Sequence, residues 1–394
     1  MKHTNNNKIY SYGKQCIDED DIQAVLNILR TDWLTQGPTI DAFEKELCKK
    51  TNHRYATALA NGTAALHLTA LALGWSKEDI VLTSPISFVA TANCIVYAGA
   101  TPYFVDIDTC TYTLNINKLE DSIKSLKNND KRVKAVIGVD YSGHPCDWEN
   151  LRFLADKYDF QLVNDACHAF GALYKNRTDY LSQYADASIL SFHPVKHITT
   201  GEGGAVLTND KSIDEKIKRL RMHGLTKDKD LLIKNDGEWY YEMIELGYNY
   251  RITDIQCALG MSQLKKLDKF IERRQEIAHY YDQAFQNNEI FIVPKISSDV
   301  YSAYHLYPLQ ILFHRIFKAK NDLFKQLKSN NIHCQVHYIP IHLHPYYQKN
   351  YEFQYGDYPA AEKFYEQEIS IPMYEALTEE DLVYITKKIL ELVI

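Results

Sequence analysis

Apolar positions recur along the chain with two different periods. Ile22, Val25, Leu26 and Leu29 fall at i, i+3, i+4 and i+7, which predicts an amphipathic helix near 19–30. The acidic run Asp18, Glu19, Asp20, Asp21 suits the positive end of that helix. A loop, DWLTQGPTI, and a second helix near 40–51 follow. From about 55 to 210 the period changes. Short apolar runs at 55–60, 80–83, 101–106, 133–139, 160–164, 186–191 and 204–208 alternate with helical stretches such as 63–73, 88–98, 117–127 and 148–158. Strand and helix in alternation predict an α/β fold with a mainly parallel central sheet. Ligands of such sheets collect at the carboxyl ends of the strands.

Residues 212–223 read as a helix, 226–245 as a polar, aromatic excursion, and 253–287 as one long helical stretch. The pattern restarts near 304 with strand 305–313, helix 320–330, strand 332–338 and helices near 358–367 and 378–391. The expected organisation is a large α/β domain over 1–250 with an N-terminal arm, bridging helices over 251–290, and a smaller α+β domain over 291–394. Residues 1–9 read as a loose polar tail.

Charge and cysteine content narrow the partners. The 394 residues carry 44 Lys+Arg against 51 Asp+Glu, a net charge of −7, so no broad basic surface is available and nucleic acid is not an expected partner. No apolar run approaches the ~20 residues of a membrane helix, and the start lacks an apolar leader core. The expectation is a cytoplasmic protein without membrane contact. The eight cysteines are scattered, with no C-x-x-C pair, and read as buried thiols.

Four segments carry candidate chemistry. In SFHPVKHITTGEGG, residues 191–204, Lys196 follows a strand that ends at Ser191 and Phe192. A lysine in a glycine-rich loop is ordinarily a surface residue. At a sheet's carboxyl edge it can be an amine nucleophile, for which pyridoxal phosphate supplies the carbonyl. In VNDACHAFGA, residues 163–172, Asp165 ends a buried strand. It reads either as a helix N-cap or as the carboxylate that keeps a pyridine nitrogen protonated. In ANGTAALHL, Gly62 and Thr63 open a helix after a strand, where free N–H groups suit a phosphate. In SPISFVATAN, Phe88 reads as core or as a ring-stacking residue. His337, His342 and His344 lie close together, but no carboxylate or cysteine accompanies them at ligand spacing, so no metal site is expected.

This ordered set closely resembles the DegT/DnrJ family of pyridoxal-phosphate sugar aminotransferases, from about Tyr10 to the C-terminus. The resemblance implies the aspartate-aminotransferase (type I) fold and pyridoxal 5'-phosphate as cofactor. YGKQCIDEDDIQAVLNILRTDWLTQGP, TSPISFVATAN, SFHPVKHITTGEGGAVLTND and LGYNYRITDIQCALG are most similar to the branch serving pseudaminic acid biosynthesis. That branch aminates carbon 4 of a UDP-linked 4-keto-6-deoxy-N-acetylhexosamine, with glutamate as donor. By this resemblance Lys196 holds the cofactor aldehyde and later moves a proton. Asp165 pairs with the ring nitrogen, Phe88 stacks on the ring, and His168 contacts the cofactor face. Gly62, Thr63, Ala64 and Ser191 hold the phosphate. Asn249 reaches the phosphate of the neighbouring subunit, which implies a homodimer with shared active sites. Tyr12, Asp32, Trp33, Leu34 and Thr35, with Gln335, His337 and Tyr338, match positions lining the UDP-sugar pocket. The chain departs from the family at Ile339, where members often carry lysine, and the pocket must tolerate His197 directly after Lys196, where a more neutral residue is expected. A dehydratase branch has histidine where Lys196 stands, so transamination is the expected reaction. The alternatives are another keto-sugar nucleotide, the D-xylo epimer or a dTDP-sugar, and more distantly a non-catalytic binding protein on the same fold.

Overall fold

The computed structural model describes residues 8–393; most of the expected polar tail lies outside them. Seven strands form the central sheet. Across it they run Tyr55–Leu59, Gly204–Thr208, Ala187–Ser191, Gln161–Asp165, Val133–Val139, Ile80–Thr83 and Thr101–Phe104. Gly204–Thr208 is antiparallel to both its neighbours, and the other pairings are parallel. All seven apolar runs of the sequence are therefore strands of one sheet.

Side-chain alternation along these strands feeds two apolar cores. Val136, Leu162 and Leu190 point to the layer holding the helices Pro38–Thr51, Ile116–Asn128 and Trp148–Tyr158. Ala135, Ile137, Val163 and Ile189 point to the opposite layer, with Gly62–Ala72, Ala90–Tyr97 and Lys211–Leu220. A sheet covered on both faces leaves only its edges and strand ends for ligands.

A further core gathers around a three-stranded antiparallel sheet of Phe291–Ile292, Tyr307–Ile311 and Glu368–Ile371. The sequence pattern missed Glu368–Ile371, because the helix Pro359–Gln367 runs straight into it with no turn signal between. The strand expected over 332–338 shrinks to Ile332–His333, which pairs in parallel with Tyr10–Ser11. The long helical stretch is two helices, Asp254–Leu264 and Leu267–Phe285, and at the break Lys266 pairs with Asp18 and Asp21 at 2.7 Å each.

The first helix, Glu19–Leu29, forms where the periodicity put it, but its apolar stripe stays uncovered. Ile22, Leu26 and Leu29 are exposed, while Asp21 is the residue fully buried. Asp21 receives Gln263 and Lys266, both at 2.7 Å, so an ionic contact docks this helix.

Candidate active site

The carboxyl ends of the central strands open onto a cavity of about 790 Å³. Asp165 closes the strand Gln161–Asp165 and is buried. Its Oδ2 accepts from the Thr91 hydroxyl at 2.7 Å, and Ser87 Oγ lies 2.7 Å behind Thr91. Its Oδ1 accepts the Cys167 N–H at 3.3 Å. The next regular element is the short strand Leu173–Tyr174, so Asp165 has no helix to cap and the cap reading falls away.

Lys196 sits in a loop pinned at both ends. Phe192 N–H donates to Gly203 at 2.8 Å, and Thr200 N–H donates to Phe192 at 3.0 Å. The ammonium reaches into the cavity, 3.4 Å from His305 Nε2. Burial lowers its pKa to about 8, with a smaller push from Arg274 and an opposing pull from Cys167 and Asp165. A lysine so placed keeps a substantial neutral fraction near pH 7, which a nucleophile or proton carrier requires.

Three histidines stand beside it. The rings of His168 and His305 are 4.3 Å apart, and those of His197 and His305 5.6 Å. Burial, aided by the charge of Lys196, drives His168 and His305 well below the ordinary histidine pKa, so both are neutral. His168 Nδ1 accepts the Ser142 N–H at 3.3 Å, which leaves its Nε2–H to donate to the Tyr338 hydroxyl at 3.1 Å. His197 likewise turns inward and donates to the Ala303 carbonyl at 3.2 Å. Its imidazole therefore adds no charge next to the lysine.

At the start of the helix Gly62–Ala72, the Asn61 side chain accepts the Ala64 N–H at 2.8 Å. Ala64 thus offers no free donor, a change from the sequence expectation. The amides of Gly62 and Thr63 have no protein partner among the described residues, and both residues line the cavity with Ser191. The approach is tight. A Cβ on Gly62 would lie 3.1 Å from Ser191 Cβ, and one on Gly204 would meet the Asn61 and Gly62 backbone at 2.5–2.6 Å. Two donor amides and a hydroxyl so crowded form a cradle for a small anion.

Tyr12, Phe88, Gln335, His337 and Tyr338 complete the wall. Phe88 is 56% exposed and its ring is 6.2 Å from that of Tyr338, so it is not a core residue. It escapes the core because the helix expected from 88 starts only at Ala90. Sequence reasoning missed Asn61, Ser87, Thr91 and His305. Asn61 carried a cap signal, a polar residue three before Ala64. His305 had no local signal, since only tertiary packing brings it to Lys196.

Two expected groups fall elsewhere. Asp32, Trp33, Leu34 and Thr35 are exposed, and Trp33 lines a separate cavity of about 540 Å³ with Arg221, Met222 and Arg251. Asn249 is exposed and bridges to Met222 beside that cavity. His342 Nε2 donates to the Glu362 carboxylate at 2.9 Å in the interior, and no metal-binding cluster occurs among the described residues.

A sequence model of the DegT/DnrJ/EryC1/StrS aminotransferase family matches residues 15–390. The chain is 41% identical over 376 residues to the UDP-4-amino-4,6-dideoxy-N-acetyl-beta-L-altrosamine transaminase of Campylobacter jejuni strain 81-176, covering 95% of each chain. Its fold is similar to that of Helicobacter pylori PseC, an aminotransferase involved in the biosynthesis of pseudoaminic acid, with TM-score 0.88, 34% identity and coverage of 98% and 99%. It is also similar to the PLP form of Spr1654 from Streptococcus pneumoniae, a sugar aminotransferase by description, with TM-score 0.87, 28% identity and 98% coverage of both chains.

Proposed function

This chain belongs to the DegT/DnrJ/EryC1/StrS aminotransferase family, and on that premise we propose that it moves the amino group of glutamate to carbon 4 of a UDP-linked 4-keto-6-deoxy-N-acetylhexosamine, in pseudaminic acid biosynthesis. It is a pyridoxal-phosphate-dependent sugar aminotransferase of type I fold. The residues fit the cofactor. Gly62, Thr63 and Ser191 would hold its phosphate, Asp165 its ring nitrogen, Phe88 and His168 its two faces, and Lys196 its aldehyde. Bound there, pyridoxal 5'-phosphate supplies a carbonyl that takes up the amine and a ring that accepts electrons.

The protein's own part is proton placement. Asp165, oriented by Thr91 and Cys167, keeps a proton on the ring nitrogen. Lys196 Nζ takes the proton from the α-carbon of glutamate and later returns one to carbon 4 of the sugar. The neutral histidines around it add no competing charge. Glutamate leaves as 2-oxoglutarate and the keto-sugar as the amino sugar.

The site is proposed to be completed by a second copy. Among the residues lining the Lys196 cavity there is no arginine, and Lys196 is the one lysine. A UDP-sugar and glutamate together bring several negative charges. Arg251 and Trp33 line one cavity with Met222, to which Asn249 bridges. A second copy presenting Trp33, Arg251 and Asn249 to this cavity would supply the cation that its own lining lacks.

The observation that carries the sugar assignment is the 41% identity, over nearly the whole of both chains, to a transaminase of that sugar series. The test is kcat/KM for UDP-2-acetamido-2,6-dideoxy-β-L-arabino-hexos-4-ulose against its D-xylo epimer at matched glutamate. An apolar pocket separates such epimers by only ~1–3 kcal/mol per contact, so some cross-reaction is expected. A preference of tenfold or more for the D-xylo epimer overturns the sugar while leaving the aminotransferase intact.

A further inference from the structure

Behind the cavity wall a line of buried groups leads from a carboxylate to His337. Glu368 and Ser370 are alternate residues of the strand Glu368–Ile371 and share one face. Backbone bonds between Gln335 and Ser370, at 3.2 and 2.8 Å, set the register that brings His337 opposite them. Glu368 Oε2 accepts the His337 backbone N–H at 2.9 Å. Its other oxygen, Oε1, is hydrogen-bonded to Ser370 Oγ, and that hydroxyl lies 2.9 Å from His337 Nδ1. All three residues are buried. Burial, with the charge of Lys196, lowers the His337 pKa to about 3, so the ring is neutral and carries one N–H. Among the described residues His337 Nε2 has no protein partner, yet it is not sealed from solvent as Nδ1 of His197 and His305 are, and His337 lines the Lys196 cavity.

A serine hydroxyl has one proton to give. If that proton goes to an ionised Glu368, Ser370 must accept from the ring, and the ring proton sits on Nδ1. If Glu368 holds a proton and gives it to Ser370, the hydroxyl donates to Nδ1, and the ring proton sits on Nε2.

We propose that Glu368 and Ser370 are positioning residues that dictate which nitrogen of His337 carries its proton, and so whether Nε2 meets the sugar substrate as hydrogen-bond donor or acceptor. The second half rests on the sugar reading of the cavity given above. The groups facing Glu368 are few: Lys320 favours its ionised form, while Cys334, Tyr112, Tyr141 and Tyr338 stand around it with pKa values raised by burial. Burial raises the Glu368 carboxyl and lowers the Lys320 amine, while Lys320 and the hydrogen bonds of Glu368 pull the carboxyl back down. While Glu368 is protonated, Nε2–H is offered to an oxygen of the sugar; once it ionises, the ring offers a lone pair.

The test is 15N NMR of the holoenzyme labelled at histidine, between pH 6.5 and 9.5, with the His337 signals assigned by their loss in His337→Asn. The expected result is Nε2–H at the acid end and Nδ1–H at the alkaline end, with the exchange lost in Glu368→Gln and in Ser370→Ala. At pH 7, Ser370→Ala should raise KM for the keto-sugar roughly three- to tenfold, the range of one hydrogen bond, with the glutamate half-reaction unchanged. One tautomer throughout in the parent enzyme, or an exchange that persists in Glu368→Gln, overturns the relay. A correct NMR exchange with the sugar KM unmoved overturns the contact between Nε2 and sugar. An enzyme that turns over no keto-sugar of this class defeats the sugar reading alone, and the ring titration still decides the relay.

Discussion

Lys196 should titrate as no surface lysine does. Burial takes its amine from an ordinary 10.5 to about 8. At pH 7 it is then about one unit below its midpoint, and roughly a tenth of the molecules carry a free amine. An ordinary lysine is three and a half units below, with roughly one free amine in 3,000. The difference is roughly 300-fold in nucleophile available at neutral pH, provided by enclosure alone. Competitive labelling of the apoprotein with a trace of acetic anhydride, read by mass spectrometry of the Lys196 peptide, measures this from pH 6 to 11. The Lys196 peptide should reach half its plateau near pH 8, and peptides from exposed lysines near 10.5. The sign of one neighbour is fixed as well. Asp165 favours the ammonium form, so Asp165→Asn should move the midpoint further down. A Lys196 midpoint at 10 or above, or one that rises in Asp165→Asn, would refute the reasoning that burial activates this amine.

In the loaded enzyme Asp165→Asn should slow the glutamate half-reaction by at least ~100-fold, the scale of one well-placed electrostatic group, without releasing the cofactor; stopped-flow absorbance decides it. Thr91→Val removes a 2.7 Å bond to a buried carboxylate and should cost about tenfold or more in the same assay, whereas an unchanged rate would remove Thr91 from the site. Asn249→Asp mixed with Lys196→Ala should regain activity through one intact site per heterodimer; a mixture that stays inactive places Asn249 in its own chain's site. Gly204→Ala drives a methyl into the Asn61–Gly62 backbone and should weaken cofactor binding tenfold or more by fluorescence titration, and an unaltered affinity would show that the cradle yields freely.

Much of the fold was legible because a sheet buried on both faces must write each strand as a short apolar run. Each of the seven runs is flanked by helix or turn, and each became a strand. Where a strand opens on a polar residue or is very short, the signal failed. Glu368–Ile371 begins with a buried carboxylate, which no hydropathy pattern anticipates, and Ile332–His333 pairs with a segment at the other end of the chain. The site divided in the same way. Lys196 and Asp165 could be found because a strand end followed by a turn places a side chain at the ligand edge. Thr91 and His305 could not, since one is defined by a hydrogen bond across elements and the other by a ring contact 109 residues away from Lys196. The apolar stripe of the first helix shows the limit of periodicity: it announces a face that wants covering, not which surface covers it.

The pairing of Tyr10–Ser11 with Ile332–His333 has a consequence for how the molecule is made. An earlier-made segment is thus fastened by one made more than 300 residues later, and Lys8 with Asp381 is an ion pair spanning 373 residues. Such long-range closures form late in folding. Tyr12, a wall of the Lys196 cavity, directly follows that strand, and its carbonyl accepts the Met373 N–H at 2.9 Å. The central sheet can therefore assemble while synthesis continues, but the cavity gains its last wall only when the C-terminal part is present. A truncated or stalled chain would present a lysine and an aspartate without an enclosed site, and the reactive amine is withheld from unfinished molecules because the enclosure that lowers its pKa does not yet exist.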